Sequence, residues 1–393
     1  MKKKNLLLLC ALTLSIPLGF SQSSFKAKDF HEKAKQTLDS VYKYYAVENS
    51  NLLRENYPFD QSYQASYLGT NEPKNVGNAY SYLWPFSGSL SAQVALYEID
   101  QSSSVLKAIN KRVLPGLEHY YDKRTPHGYA SYINTAKQSD RFYDDNVWLG
   151  IDFADLYLET GKKHYLKKAE EIWKFVESGM DDKLGGGIYW CEQRKESKNT
   201  CSNAPGVVYL MKLYQGTKNT RYLNLAKSLY DWTKNTLQDP TDYIYFDNIQ
   251  LSGKIGKAKF PYNSGQMLQA ATLLYSVTKE ERYSKEAQEI AEAGHQFFFH
   301  ENKNHDGQTF KLLKNSDIWF IAIMMRGYAS LYEIDQNPIY INSFKANLEY
   351  AWNTMRDQRG LFIKDWTVQK KPSKRWLLDQ MAFVEMYARM ASY

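Results

Sequence analysis

The sequence predicts an all-α fold, a toroid of six helical hairpins of the (α/α)6 barrel type, on three observations. A hydrophobic–Tyr pair recurs at Leu96-Tyr97, Leu156-Tyr157, Leu213-Tyr214, Leu274-Tyr275, Leu331-Tyr332 and Met386-Tyr387, with tyrosines 60, 57, 61, 57 and 55 residues apart. A short polar turn follows the first five pairs, as in Glu159-Thr160-Gly161-Lys162, and then a second amphipathic segment such as 165–176 or 222–232. The segment before each turn is apolar on most sides (318–331 is nearly uniform), whereas the one after it alternates with Lys and Glu. Self-similarity at a fixed period marks stacking of one supersecondary unit. Apolar spacings of three and four, as at Leu149, Phe153, Leu156 and Tyr157, make that unit a pair of helices.

In chain order, residues 1–21 have the form of an export signal. Lys2, Lys3 and Lys4 precede an apolar stretch, 6–18, and the small-x-small site Gly19-Phe20-Ser21. A lipoprotein reading through Cys10 is disfavoured, because Leu9 stands where a small residue is expected. The mature chain is expected to start near Gln22. The apolar stretch is too short to span a bilayer comfortably. No stable membrane insertion is expected, and the product would be periplasmic, at the cell surface or secreted. Residues 22–393 contain no Pro/Gly/Ser-rich linker and are read as one domain and a monomer.

Segment 25–47 is amphipathic and supplies an outer helix. Inner helices are expected from near Leu83, Asp145, Asn203, Asn263, Asp317 and Leu377, and further outer helices from near Ser104, Lys163, Thr220, Arg282 and Pro338. Pairing of the N-terminal helix with the last inner helix closes the ring. The long connections, 48–82, 121–143, 179–202, 237–262 and 359–376, all lead into inner helices and therefore lie on one face. Long loops in a compact domain usually carry function.

Composition narrows the chemistry. The formal charge of +7 falls to +4 without the three leader lysines, and Lys and Arg are scattered. A nucleic-acid partner is therefore not expected. The seven histidines are dispersed with none paired at i, i+4, and no Gly-x-Ser-x-Gly elbow or phosphate-cradling loop occurs. The 32 tyrosines serve equally as core or as sugar-stacking surface. Cys191 and Cys201 either form a disulfide, plausible in an oxidising compartment, or remain free buried thiols.

At the mouth of the second inner helix stands Arg141-Phe142-Tyr143-Asp144-Asp145-Asn146-Val147-Trp148. Asp144 and Asp145 are either helix caps or a working carboxylate pair. Glycosidases need two carboxyl groups flanking the bond, about 5–5.5 Å apart in retaining enzymes. A helix N-terminus favours an anion, and a like charge next door favours a proton donor.

The run Tyr143-Asp144-Asp145-Asn146-Val147-Trp148-Leu149-Gly150 resembles the signature of the endo-α-1,6-mannanase family, glycoside hydrolase family 76. So do Gly185-Gly186-Gly187-Ile188-Tyr189-Trp190, Lys198-Asn199 with Ser202-Asn203-Ala204-Pro205, and Tyr262-Asn263-Ser264-Gly265. The resemblance covers most of the mature chain, in the family's order. It implies an (α/α)6 barrel, α-mannan polysaccharide or oligosaccharide as substrate, retention of configuration, and no metal or organic cofactor. By position it implies Asp144 as nucleophile and Asp145 as general acid/base. Tyr143, Asn146 and Tyr262 are carried over with it as sugar contacts. The run 185–187 is either a tight turn or a close backbone approach to sugar at Gly186 and Gly187, with Tyr189 and Trp190 as stacking candidates. Asn203 and Asn263 are either helix caps or hydroxyl binders, and Trp84 is either core or platform. Cys191, Cys201 and the loop 69–78 fall outside the resemblance. Two other readings remain. One is a different toroidal sugar enzyme, an unsaturated-uronyl hydrolase or an epimerase, with Arg141, Lys198 and Arg375 available for a uronate. The other is a non-catalytic glycan-binding protein.

Overall fold

The computed structural model describes residues 27–63, 65, 78–303, 307–370 and 372–393. The expected leader, 1–21, the start at Gln22 and nearly all of the loop 69–78 lie outside them. Six helices form an inner ring: α2 (Leu83–Asp100), α5 (Tyr143–Thr160), α7 (Thr200–Thr217), α9 (Pro261–Thr278), α11 (Ile318–Asp335) and α13 (Leu377–Met390). Each packs on the next, and α13 packs on α2 to close the circle. Outside lie α1 (Ala27–Tyr45), α3 (Ser103–Ala108) with α4 (Leu114–Leu117), α6 (Lys163–Glu177), α8 (Thr220–Leu237), α10 (Glu281–Phe297) and α12 (Pro338–Thr354). Helix α1 packs on α13, so the N-terminal segment supplies the sixth outer helix as its amphipathic pattern predicts. This is the (α/α)6 arrangement.

Burial explains the two polarities. Inner helices are buried along nearly their whole length, α11 from Ile318 to Leu331 with few breaks. Outer helices bury one stripe, which in α10 is Tyr283, Ala287, Ile290, Ala291 and Gly294. The first outer arm is not one helix. A π turn, Ile109–Val113, joins α3 to α4, where Pro115 has no N–H to continue the ladder.

The repeat that reveals the fold has a structural cause. Gln101, Gly161, Lys218, Lys279 and Gln336 end five inner helices in left-handed conformation, and each backbone N–H donates to the carbonyl of Tyr97, Tyr157, Tyr214, Tyr275 or Tyr332. The tyrosine therefore stands four residues ahead of the reversal that starts the outer arm.

At the opposite ends, the long loops form small antiparallel sheets. β1 (Asn56–Tyr57) pairs with β9 (Arg375–Trp376), and β2 (Tyr121–Asp122) with β3 (Gly128–Tyr129). β4 (Ser197–Asn199), β5 (Phe246–Gln250) and β6 (Ile255–Lys259) make a three-stranded sheet, and β7 (Phe299–Lys303) pairs with β8 (Thr309–Leu313). The fourth residue of an inner helix then clips the incoming loop. Asn146, Asn203, Ser264 and Gln380 accept the backbone N–H of Tyr129, Ile188, Tyr245 and Phe362, at 2.7, 2.6, 3.1 and 2.7 Å.

The inner ring also holds charge. Arg326 on α11 donates to both oxygens of Glu385 on α13, at 2.5 and 2.9 Å, and Arg389 bridges Glu385 and Glu98, at 2.8 and 2.7 Å. No helix among the described residues is long and apolar enough to cross a membrane.

Candidate active site

The second residue of five inner helices faces a common cavity: Trp84, Asp144, Cys201, Tyr262 and Trp319. Placing the same position of each ring helix at one mouth brings residues distant in sequence around a space of about 790 Å3. The loops add Phe142, Trp190, Glu196, Asp247 and Asn248 to its walls.

Asp144 and Asp145 lie in the first turn of α5, whose N-cap, Phe142, makes no side-chain cap bond. They are not helix caps. Both keep some accessible surface, and both line the cavity. Their surroundings differ. The Asp144 carboxylate accepts from the Trp190 indole at 3.1 Å and from the Cys201 thiol at 3.2 Å through Oδ2. Burial pushes its pKa up to about 6, while these two donors and the backbone N–H groups of Asp145 and Asp144 hold it from rising further. Asp145 rises well above the usual carboxylate range, through burial and then the neighbouring Asp144 charge, with no donor opposing. The two environments therefore favour ionisation at Asp144 over Asp145.

Much of the cavity wall is aromatic. Trp319 meets Trp84 and Trp148 edge-on, with centroids 5.5 and 4.8 Å apart, and Tyr262 stacks on Phe320 at 4.0 Å. Such faces bury the C–H side of a sugar ring. Of the expected sugar contacts, Trp84, Trp190 and Tyr262 line the cavity.

Seven others do not line it. Tyr143 is fully buried and stacks on Phe175 at 4.9 Å. Asn146 and Asn203 are the loop clips described above; both are fully buried, and their amide N–H groups are used by the Phe142 and Tyr129 and the Ile188 and Asn199 carbonyls. The glycine run is a turn cradled by Trp232. Gly186 and Gly187 have φ of 137° and 85°, and a Cβ on Gly187 would come within 2.5 Å of the Trp232 ring. The Tyr189 hydroxyl is engaged by Asp181 at 2.8 Å. Asn263 is also buried, beside the Asp247 carboxyl, and neither amide atom makes a well-formed hydrogen bond.

The cysteines are free thiols, not a disulfide. Cys201 points at Asp144, whereas Cys191 lies where Phe142 bridges the loop, its sulfur 3.9 Å from Gln193 Oε1. The three cations considered for a uronate are already committed. Arg141 pairs with Glu192, the Lys198 ammonium donates to Asp181 and to the Lys183 and Gly186 carbonyls, and Arg375 holds the Pro372 carbonyl. None of the three lines the cavity.

The glycosyl hydrolase family 76 model matches residues 30–393. The chain belongs to glycosyl hydrolase family 76. A family 76 mannosidase of Bacteroides thetaiotaomicron is 32% identical, with TM-score 0.83 over 92% of this chain and 98% of that one. An inactive α-1,6-mannanase variant of Salegentibacter, with two successive aspartates replaced by asparagine and solved with α-1,6-mannotriose, is 25% identical, with TM-score 0.72 over 93% and 99%. The mannan endo-1,6-α-mannosidase of Candida glabrata is 27% identical over 251 residues, 59% of this chain. The chain spans 54% of that relative's length and 30% of the Saccharomyces cerevisiae counterpart's.

Within this family 76 chain, motif reading missed Trp319, Phe320, Asp247 and Cys201 as site residues. Register finds two of them, since Trp319 and Cys201 occupy the same helical position as Asp144. Cys201→Ala is expected to raise the Asp144 pKa by about 0.5–1 unit, the value of one weak donor to the carboxylate. The anion would then appear at higher pH, and the acid limb of the activity profile would shift upward. Cys201→Ser should restore much of the limb; an unmoved limb in Cys201→Ala would show the thiol to be packing only.

Proposed function

We propose that this chain is an exported, monomeric, retaining glycoside hydrolase that cleaves α-1,6-mannosidic linkages within mannan. One observation carries the reading: two adjacent carboxyl groups line an aromatic-walled cavity, and two side-chain donors, Trp190 and Cys201, reach Asp144. Family membership supports glycoside hydrolysis. The relatives named α-1,6-mannanase and mannan endo-1,6-α-mannosidase support the linkage and the endo action.

In the first step Asp144 attacks the anomeric carbon while the Asp145 proton passes to the glycosidic oxygen, so the leaving chain departs as an alcohol. The product is a glycosyl ester on Asp144. Asp145, now a carboxylate, takes a proton from water as that water attacks the same carbon. The ester breaks, Asp144 returns as an anion and Asp145 regains its proton. Trp84 and Tyr262 face the sugar, with Trp319 packed behind Trp84, and the Trp190 and Cys201 donors keep Asp144 ionised and aimed.

Digestion of linear α-1,6-mannan tests the reading. Oligosaccharides of mixed length should appear early. Binding of mannan without products would favour the glycan-binding alternative, and mannose alone from the first minutes would contradict endo cleavage.

A further inference from the structure

Three successive inner helices bring their second residues together at the cavity: Asp144 on α5, Cys201 on α7 and Tyr262 on α9. The Cys201 thiol donates to Asp144 Oδ2 at 3.2 Å, and its sulfur accepts from the Tyr262 hydroxyl. Among the described residues, the side-chain donors to Asp144 are Trp190 and Cys201. The other charged groups lining the cavity are Asp145, Asp247, Glu196 and Lys195.

A thiol has one proton and turns freely about its Cβ–Sγ bond, so something must fix which acceptor receives that proton. A hydroxyl proton lodged on the sulfur does so. It closes one side of the sulfur to the thiol proton and leaves that proton for the carboxylate. Each hydrogen bond in such a chain also polarises the next. Tyr262 is placed for this part. Its ring is pinned against Phe320, with centroids 4.0 Å apart and planes 7° from parallel, and only 8% of the residue is exposed. The nearby Asp247 carboxyl is served instead by the Asn248 amide at 2.7 Å.

We propose that Tyr262 is a positioning residue for the nucleophile: its hydroxyl fixes the Cys201 rotor so that the thiol donates to Asp144 Oδ2. The hydroxyl acts through the sulfur, a part separate from the contact of the ring with the sugar. The inference rests on Asp144 as the nucleophile of the reading above and adds a residue to its support.

Infrared spectra of the full chain and the pH profile of kcat/KM on α-1,6-mannan test this together. The S–H stretch of Cys201 is assigned by its loss in Cys201→Ala, with Cys191 as the internal reference. Tyr262→Phe keeps the stack on Phe320 and should move that band to higher wavenumber, as the bond from the thiol to Asp144 loosens. It should also raise the acid limb by up to about 0.5–1 in pH, the effect of losing the thiol bond itself. In a Cys201→Ala background the same change should leave the limb where Cys201→Ala alone puts it, because no thiol remains to orient. In a Cys201→Ser background it should raise the limb again. An unmoved band, or limb shifts that add in the double variant with Cys201→Ala, overturns the proposal. So does a higher KM with an unmoved limb, which would place the hydroxyl on the sugar. If the parent does not cleave mannan, the mannan reading fails and the band alone decides the role of Tyr262.

Discussion

Asp144→Asn is expected to lower hydrolysis of α-1,6-mannan by at least about 10³-fold, because the amide neither attacks the anomeric carbon nor carries the charge that develops beside it. Asp145→Asn should cost about 10²–10⁴-fold on mannan, the usual range for a lost general acid. The two variants then separate by leaving group. An α-1,6-mannobioside with a dinitrophenyl aglycone needs no protonation to depart, so the Asp145 variant should form the glycosyl ester at near-parental rate while the Asp144 variant stays silent. The acid limb of the parental profile should fall near pH 6, where burial and its opposing donors set Asp144. The basic limb should follow loss of the Asp145 proton, which burial and the Asp144 charge hold above the ordinary carboxylate range. Both limbs belong to the pair rather than to either residue alone. Wild-type rates in both single variants would remove the pair from the chemistry.

Glu385→Ala should be the costliest change away from the cavity, at about 3–5 kcal/mol, because it leaves Arg326 and part of Arg389 uncompensated in the ring interior. Glu385 and Arg326 are 1% and 4% exposed, so water cannot replace the lost partner. Burial alone would raise the Glu385 pKa; Arg326 and Arg389 outweigh it and hold the group at about 2, against 4.5 for a free carboxyl. A depressed pKa contributes stability that is present above about 4.5 and is lost as pH falls towards 2. Urea titrations at pH 7 and pH 3 should therefore show the parent weakening in acid, and the gap between parent and variant narrowing. Replacing both partners, as Arg326→Met with Glu385→Leu, should cost far less than Glu385→Ala. Equal losses from the single and double changes would mean that the site tolerates no repacking.

The ring was legible because its period has a local cause. Five of the six hydrophobic–Tyr pairs stand four residues before a left-handed cap, the sixth marks the last inner helix, and the N-terminal amphipathic helix α1 closes the circle. Helix starts were legible within about three residues, since Phe142 and Phe260 before α5 and α9 are not capping residues and Asn199 before α7 makes no side-chain cap bond. The carboxylate pair was legible as chemistry, but not the neighbours that distinguish its members. Trp190 and Cys201 reach Asp144 only through folding of the loop before α7. Asn146 and Asn203 read as sugar contacts because an Asn at a helix mouth suits either role; only the path of the incoming backbone shows both amides saturated. Arg326 was hidden for another reason. A single cation in an apolar run looks like an interruption until Glu385 is seen on the next helix.

The most direct test of the account is time-resolved proton NMR of a linear α-1,6-mannan digest during the first minutes, before the new reducing ends mutarotate. Attack by Asp144 and then by water predicts that the α-anomer appears first. Initial β-anomer would mean a single displacement by water, and would contradict Asp144 as nucleophile with Asp145 as its acid/base.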